Sequence, residues 1–301
     1  MAYPSYKELY YSQRLDHFNP TSTERWQHRY LLNDENWDGR GRLSAGCRGP
    51  ILLYTGNEGP IEAFWEGNGF MTQVLAPKWG ALLLFPEQRF YGKSMPFGNA
   101  TLTSEELVYL TTAQVLEDYV EIIEYIKSQH DAQSCPVVAF GGSYGGTLTA
   151  LLRASHPSSV IGGLAASSEL GYYDASGWAA HGVDAFSFED VVLDDYKTAE
   201  TGCLPAIEAA MSAVERASEE TLVQTLNLCD AKALGPEKRS LFAYALEGLP
   251  QQDYPYPIGM MPAKPVNFAC NLLVEASKAQ DQGKLLNAVG AVVSMALGNG
   301  S

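Results

Sequence analysis

The turn between one apolar run and one helical run places the strongest constraint on the fold of this chain. The short apolar run 137–140 continues as Gly-Gly-Ser-Tyr-Gly-Gly at 141–146 and passes directly into the helical run 147–152. A Gly-x-Ser-x-Gly turn between strand and helix holds its serine in a strained backbone conformation, and the small residues around it let the chain reverse without a clash. The pattern predicts a buried strand followed by a helix, with Ser143 at the turn as a candidate catalytic nucleophile.

The first 170 residues alternate short apolar runs with helical patterns, which is typical of a mostly parallel sheet flanked by helices. A helix is predicted from Thr112, because apolar residues recur three and four positions apart while acidic residues occupy the other face. Residues 10–32 alternate apolar with polar side chains around Asn19-Pro20, which predicts an antiparallel ribbon. Apolar runs bounded by glycine or proline predict strands at 51–55, 81–85, 137–140 and 160–166.

The composition changes near Gly171 to stretches rich in alanine, glutamate and leucine, such as 206–228 and 273–297. A proline-rich segment separates these two stretches. They predict a second, helical region. We therefore divide the chain into residues 1–170, an α/β region with a leading ribbon, and residues 171–301.

An excess of acidic residues limits the partners of this chain. Its 20 Lys and Arg against 35 Asp and Glu give a formal net charge of −15. Such a chain repels a phosphate backbone, so we expect no nucleic-acid partner. No apolar run reaches the roughly 18 residues of a membrane-spanning helix, and the chain starts without a basic and apolar leader. We expect no membrane span, and no signal peptide is visible in this chain.

The five cysteines fit no Cys-x-x-Cys or Cys/His zinc spacing, so we expect neither a metal site nor a cofactor. Cys203, Cys229 and Cys270 lie in the last hundred residues, where two could pair in an oxidising compartment and leave one unpaired. Two glycosylation sequons agree with a secretory or lysosomal route. Asn99, in Asn-Ala-Thr, is the candidate acceptor, and the other sequon begins at Asn299.

Two backbone N–H groups are candidates to stabilise the negative oxygen that forms when a serine attacks a carbonyl. The helix after Ser143 points its N-terminal N–H groups at the turn, which makes the Tyr144 N–H the first donor. The loop after the strand at 51–55 supplies the second, the Asn57 N–H, because two glycines bring this backbone close to a substrate. Glu58 then faces the pocket as a candidate substrate-binding residue. An ordinary glycine-rich turn is the alternative interpretation of this loop.

Six segments in order along the chain resemble peptidase family S28, the group of lysosomal prolyl carboxypeptidase and dipeptidyl peptidase II. The resemblance implies an α/β-hydrolase core with a helical cap inserted after the strand near 165. Residues 1–170 would then be the N-terminal part of the core and residues 171–301 the cap. The segments are Gln13-Arg14-Leu15-Asp16-His17-Phe18, Arg29-Tyr30, Tyr54-Thr55-Gly56-Asn57-Glu58-Gly59, Glu87-Gln88-Arg89-Phe90-Tyr91-Gly92-Lys93-Ser94, Gly141-Gly142-Ser143-Tyr144-Gly145-Gly146 and Tyr256-Pro257 through Met261-Pro262.

The resemblance also implies a serine exopeptidase that hydrolyses peptide bonds on the carboxyl side of proline near a chain terminus, as a dipeptidyl peptidase or a prolyl carboxypeptidase. Its substrate would be a proline-containing peptide and its location lysosomal, vacuolar or secreted; the sequence is compatible with a homodimer. Glu58 suits a substrate amine better than a substrate carboxylate, which it would repel. The alternatives are a catalytically inactive hydrolase-fold binding protein and an esterase or lipase, since the serine turn alone is shared.

α/β-Hydrolases supply the nucleophile, the orienting acid and the imidazole base in the order Ser, Asp, His. Only His156 and His181 follow Ser143, and His156 lies at the far end of the helix that begins at the serine. In the resembling family the Asp and His follow the cap. We therefore expect the chain to be the front part of a longer enzyme, with the C-terminal part of the core missing.

Three further expectations concern structural roles. His17 is expected to be structural, because it and its neighbour Asp16 point to opposite faces of an extended strand. Arg89 is expected to brace the active-site loops through a buried carboxylate. In the cap we predict a disulfide between Cys203 and Cys270, with the partner of Cys229 missing.

Overall fold

The computed structural model consists of two compact units, Met1–Ala175 and Ser176–Ser301. The change in composition had placed a boundary near residue 171. In the described part of the chain, no helix is long and apolar enough to cross a membrane, and no group of three or more His, Cys, Asp or Glu side chains could hold a metal ion. The structure describes residues 3–39, 46–98, 102–173, 178, 180–234, 237–257 and 261–298.

Six strands form one sheet in the first unit: β1 (Lys7–Arg14), β2 (Arg25–Asn33), β3 (Ile51–Tyr54), β4 (Leu82–Pro86), β5 (Val137–Gly142) and β6 (Gly162–Ala166). Their order in the sheet is β1-β2-β4-β3-β5-β6. The last four strands are parallel to one another, whereas β1 pairs antiparallel with β2, and β2 pairs antiparallel with β4. The predicted ribbon therefore extends the parallel sheet as an antiparallel edge.

Helices cover both faces of the central strands, which is why β3 and β4 are apolar at every position and buried. Ile51 and Leu53 pack into one core layer, and Leu52 into the other, because alternate residues of a strand point to opposite faces. A π-helical segment, Phe70–Leu75, precedes the second helix. The helices of this unit are α1 (Ile61–Gly67), α2 (Ala76–Trp79), α3 (Ser104–Leu107), α4 (Thr112–Gln129) and α5 (Tyr144–Ser155).

The second unit is helical in the part that the structure describes, around a core that includes Phe242 and Leu273. The apolar stretch 273–297 is divided between two helices at Asp281, whose side chain accepts hydrogen bonds from the Gly283 and Lys284 N–H groups. The helices are α6 (Ser187–Ala199), α7 (Cys203–Arg216), α8 (Glu219–Thr225), α9 (Ser240–Gly248), α10 (Pro265–Lys278) and α11 (Gln282–Leu297).

Two disulfides fasten the units internally. Cys203 and Cys270 join α7 to α10, and these are the two cysteines whose pairing the sequence predicted; Cys229 is exposed and unpaired. A second bond, between Cys47 and Cys135, joins the segments just before β3 and β5. No local pattern indicated this second pairing, because 88 residues separate the two cysteines.

The parallel strands bring three loops to one edge of the sheet. Residues of β3 pair in register with residues of β4 and β5, so the carboxyl ends of the three strands lie side by side. The loops at 55–60 and 87–94 and the turn at Ser143 follow these ends. In parallel sheets, sites form at this edge.

Candidate active site

Ser143 occupies the turn between β5 and α5 in a strained conformation, with φ 54° and ψ −128°. A positive φ is uncommon for a residue that carries a side chain. The Ser143 N–H donates to the Ala166 carbonyl at 3.0 Å, and its own carbonyl accepts from the Thr147 N–H at 3.0 Å. The turn is therefore held from β6 and from α5, and the Ser143 side chain is exposed.

Two positions of the turn must be glycine, because a Cβ atom at either position would collide with nearby backbone. A Cβ at Gly141 would lie 2.1 Å from the Gly145 carbonyl oxygen, and one at Gly145 would lie 2.6 Å from the Thr55 carbonyl oxygen. Real Cβ atoms do not approach backbone so closely. The Gly-x-Ser-x-Gly spacing thus allows the turn and the loop after β3 to pack against each other.

The loop after β3 lies directly against the serine turn. Asn57 is buried, and its side-chain Nδ2 donates to the Gly142 carbonyl at 2.6 Å. Tyr144 is the first residue of α5, so its N–H is one of the helix N-terminal groups that have no acceptor within the helix. The structure thus brings together the two loops that carry the predicted oxyanion donors, Asn57 N–H and Tyr144 N–H.

The buried carboxylate of Glu87 connects the loop after β4 to the same edge. It accepts hydrogen bonds from the Ile61 N–H at 3.1 Å and from the Lys93 N–H at 2.9 Å. Arg29, from β2, neutralises it with an N–O distance of 3.1 Å. Because one carboxylate binds the ends of two loops and a strand, it fixes where these loops lie relative to the sheet.

Arg89 pairs with a buried carboxylate, as the sequence suggested, and it connects the loop after β4 to α4 and to the ribbon. Its Nε and Nη2 donate to the two oxygens of Asp118 at 2.6 and 2.7 Å, and both side chains are buried. A third nitrogen donates to the Leu15 and Tyr109 carbonyls, each at 3.0 Å. His17 joins the network, with its Nε2 2.7 Å from Asp118 Oδ1. Arg89 and His17 are therefore structural in this arrangement, and neither contacts Ser143.

Two carboxylates lie around the serine turn. The Ser143 Oγ donates to Glu169 Oε1 at 3.2 Å, and the Glu169 N–H donates to Thr147 Oγ1 at 3.0 Å. Glu58 is exposed. Burial raises the pKa of the Tyr144 hydroxyl; its hydrogen bond with Thr112 lowers that pKa, and the charges of Glu58 and Glu169 raise it. Both carboxylates therefore place negative charge near Tyr144, the residue after Ser143.

Glu169 was missed by sequence reasoning, although a signal was present. It follows β6 by three residues, and β6 is the parallel neighbour of β5. The rule that carboxyl ends of parallel strands share one edge places it near the residue that follows β5, which is Ser143.

The four histidines of the first unit are engaged away from Ser143. His156 lies at the end of α5, a helix of 12 residues that spans roughly 18 Å, so it cannot reach the serine at the other end. His181 belongs to the second unit. The partners in the first unit are Asp118 for His17, the Glu87 carbonyl for His28, the Trp37 ring for His130 and Glu117 for His156.

The predicted glycosylation site at Asn99 lies outside the described residues.

Comparison with known proteins decides the family. The model of the family described as serine carboxypeptidase S28 matches residues 13–287. The chain belongs to this family. Its core is accordingly of the α/β-hydrolase class, with the serine turn between a parallel strand and a helix.

Relatives in this S28 family match most of the chain. Lysosomal Pro-X carboxypeptidase of Mus musculus is 34% identical over 280 residues, which cover 89% of this chain and 54% of the relative. Prolyl carboxy peptidase like protein 5 of Caenorhabditis elegans is 35% identical over 294 residues, covering 92% and 55%. The chain therefore spans about half the length of the curated relatives it matches. Among solved structures, Porphyromonas gingivalis dipeptidyl peptidase 4 is 12% identical with a TM-score of 0.36, covering 54% of this chain and 20% of that chain.

Proposed function

We propose that Ser143 is the nucleophile of a serine exopeptidase that cleaves peptide bonds on the carboxyl side of proline near a chain terminus. The observation that carries the proposal is the strained, exposed Ser143 at the carboxyl edge of the parallel sheet. Strain at a strand-to-helix turn is maintained where it presents a reactive hydroxyl. Membership of the serine carboxypeptidase S28 family supports the reaction class.

In the proposed reaction, the Ser143 Oγ forms a bond to the substrate carbonyl carbon while its proton passes to an imidazole base. The N–H groups of Asn57 and Tyr144 stabilise the resulting oxyanion. The carbon–nitrogen bond then breaks, the base returns the proton to the leaving amine, and water hydrolyses the acyl-enzyme. None of the histidines of the first unit is proposed as this base, since they are bound elsewhere.

The two carboxylates bear on which substrate terminus is bound. We propose that Glu58 binds a charged substrate amine, and Glu169 supports this choice because it adds negative charge beside Ser143. A substrate carboxylate would be repelled there. The names of the mammalian relatives support the carboxypeptidase alternative instead. Their names also support a lysosomal location for this protein.

Labelling with a fluorophosphonate probe tests the nucleophile. We expect protein that carries the imidazole base to react at Ser143, and its Ser143→Ala variant to react only at background level. Ser155→Ala is the matched control, because Ser155 lies at the other end of α5 and bonds only to the Leu151 carbonyl among the described contacts. Equal labelling of this protein with and without Ser143→Ala would contradict the assignment and favour an inactive binding protein.

Paired substrates test the specificity. We expect hydrolysis of an Xaa-Pro arylamide with a free amine, slower hydrolysis when the amine is acetylated, and loss of this difference in Glu58→Gln. Preference for a Pro-Xaa peptide with a free over an amidated carboxylate would instead establish the carboxypeptidase type. Hydrolysis of short esters, with no hydrolysis of either proline substrate, would favour an esterase.

A further inference from the structure

Two consecutive hydrogen bonds link three polar groups, from the protein interior to the serine turn. The Tyr54 hydroxyl donates to Asn57 Oδ1 at 2.7 Å, and Asn57 Nδ2 donates to the Gly142 carbonyl at 2.6 Å. The order of donors is fixed, because a carbonyl only accepts, so the Asn57 amide nitrogen faces Gly142 and its oxygen faces Tyr54. Tyr54 and Asn57 are both buried, with 4% and 6% of their surface exposed.

This series of hydrogen bonds ends at the peptide bond between Gly142 and Ser143. The Gly142 carbonyl and the Ser143 N–H belong to one planar peptide group. Asn57 holds its oxygen, and the Ala166 carbonyl accepts from its N–H at 3.0 Å. A peptide plane held at both sides cannot rotate, and rotation of this plane is what would relieve the positive φ of Ser143.

We propose that Tyr54 is a positioning residue, which acts through the Asn57 side chain to hold the Ser143 turn in its strained geometry. The inference rests on the proposed role of Ser143 as nucleophile. Asn57 also lies in the loop that carries the proposed oxyanion N–H, so one amide side chain couples the nucleophile to the loop that stabilises the product of its attack.

The surroundings keep Tyr54 suited to this role. Its ring stacks on Phe64 and on Phe85, which restricts the direction of the hydroxyl. Burial raises the pKa of Tyr54 to about 12, although a hydrogen bond with the Asn68 side chain lowers it. The hydroxyl is therefore a protonated donor at neutral pH. Tyr54→Phe removes this donor and leaves the stacked ring in place.

The test combines amide hydrogen exchange at Ser143 with the rate constant of fluorophosphonate labelling, both on the full chain. We expect Tyr54→Phe to accelerate Ser143 exchange about threefold to tenfold, as the loss of one buried hydrogen bond would, and to slow labelling by a similar factor. Tyr196→Phe is the matched control: Tyr196 is equally buried, donates to the Leu246 carbonyl at 2.8 Å and belongs to the second unit. This variant should leave both quantities unchanged.

A double substitution separates positioning from general support of the fold. If Tyr54 acts through Asn57, the Tyr54→Phe/Asn57→Ala variant reacts no more slowly than Asn57→Ala alone. Full additivity of the two effects, or equal Ser143 exchange in Tyr54→Phe and Tyr196→Phe, would overturn the proposal. Failure of protein that carries the imidazole base to be labelled would refute the proposed function alone, since the exchange rates still decide whether Tyr54 positions the turn.

Discussion

Replacement of Asp118 by asparagine is expected to destabilise the first unit strongly, although the side chain keeps its shape. Asp118 is buried beneath the ribbon and accepts four hydrogen bonds: two from Arg89, one from Gln13 at 2.8 Å and one shared with His17. Burial alone would raise the pKa of this carboxyl, but the hydrogen bonds with His17 and Arg89 and the Arg89 charge hold the pKa below its usual value. The group is therefore ionised in the folded protein.

The size of the effect follows from these contacts. In its best orientation, the substituted asparagine would keep the oxygen that faces Gln13 and His17 and would turn its NH2 group toward the Arg89 Nε. One charge-assisted hydrogen bond, at about 1.5–3 kcal/mol, is then lost. The buried Arg89 charge also loses its counter-ion, and breaking a buried pair from one side costs about 3–5 kcal/mol in total. We expect a loss of that size.

Guanidinium denaturation followed by tryptophan fluorescence measures the loss. Four of the five tryptophans lie in the first unit, so the signal reports chiefly on this unit. Asp34→Asn is the control: Asp34 pairs with the exposed Lys7, and its loss should change the free energy of unfolding by under about 1 kcal/mol. If Asp118→Asn lost no more than this control, the reasoning from buried charge would be refuted.

Three further predictions concern packing, pH and the disulfides. Gly145→Ala should cost roughly 1–3 kcal/mol despite the higher helix propensity of alanine, whereas Gly142→Ala, whose Cβ would meet nothing within 4 Å, should cost less; equal unfolding free energies would contradict the predicted clash. The pKa of Glu8 is lowered from 4.5 to about 2 by the Lys93 hydrogen bond and by Arg29, so its stabilising contribution is complete above pH 4.5 and is lost as the pH falls toward 2. The stability difference between the unmodified chain and Glu8→Gln should shrink over that interval, and an acid titration that found it constant would count against the ion pair. Replacing Cys47 and Cys135 together by serine should cost about 4–5 kcal/mol, from the loop of 88 residues that the bond closes, while Cys229→Ser should leave the unfolding midpoint unchanged; similar midpoints for both variants would show that the bond adds no stability.

The fold of the first unit could largely be predicted, because its local signals agree with one another. The predicted strands at 51–55, 81–85, 137–140 and 160–166 match Ile51–Tyr54, Leu82–Pro86, Val137–Gly142 and Gly162–Ala166 within a few residues. The helix predicted from Thr112 spans Thr112–Gln129. Apolar runs bounded by glycine or proline indicated the strands, and apolar residues three and four positions apart indicated the helix.

What could not be predicted depends on contacts between distant parts of the chain. Nothing local indicates that Cys47 meets Cys135, or that the Asn57 side chain reaches the Gly142 carbonyl. The sequence did identify the loop of Asn57, but it assigned a role only to the backbone N–H, because the direction of a side chain follows from the packing of two loops. The position of Glu169 just after β6 could be predicted from the sequence, whereas its hydrogen bond with Ser143 could not.

The bond between Cys47 and Cys135 also determines how the protein would respond to proteolysis. Every peptide bond from residue 48 to residue 134 lies inside the loop that this bond closes. A single cut there, even next to the loop of Asn57, would leave the two fragments covalently joined. Such a nicked molecule would migrate as one chain on a non-reducing gel and as two after reduction. Under oxidising conditions, cleavage of a surface loop therefore need not release the strands that carry the candidate active site.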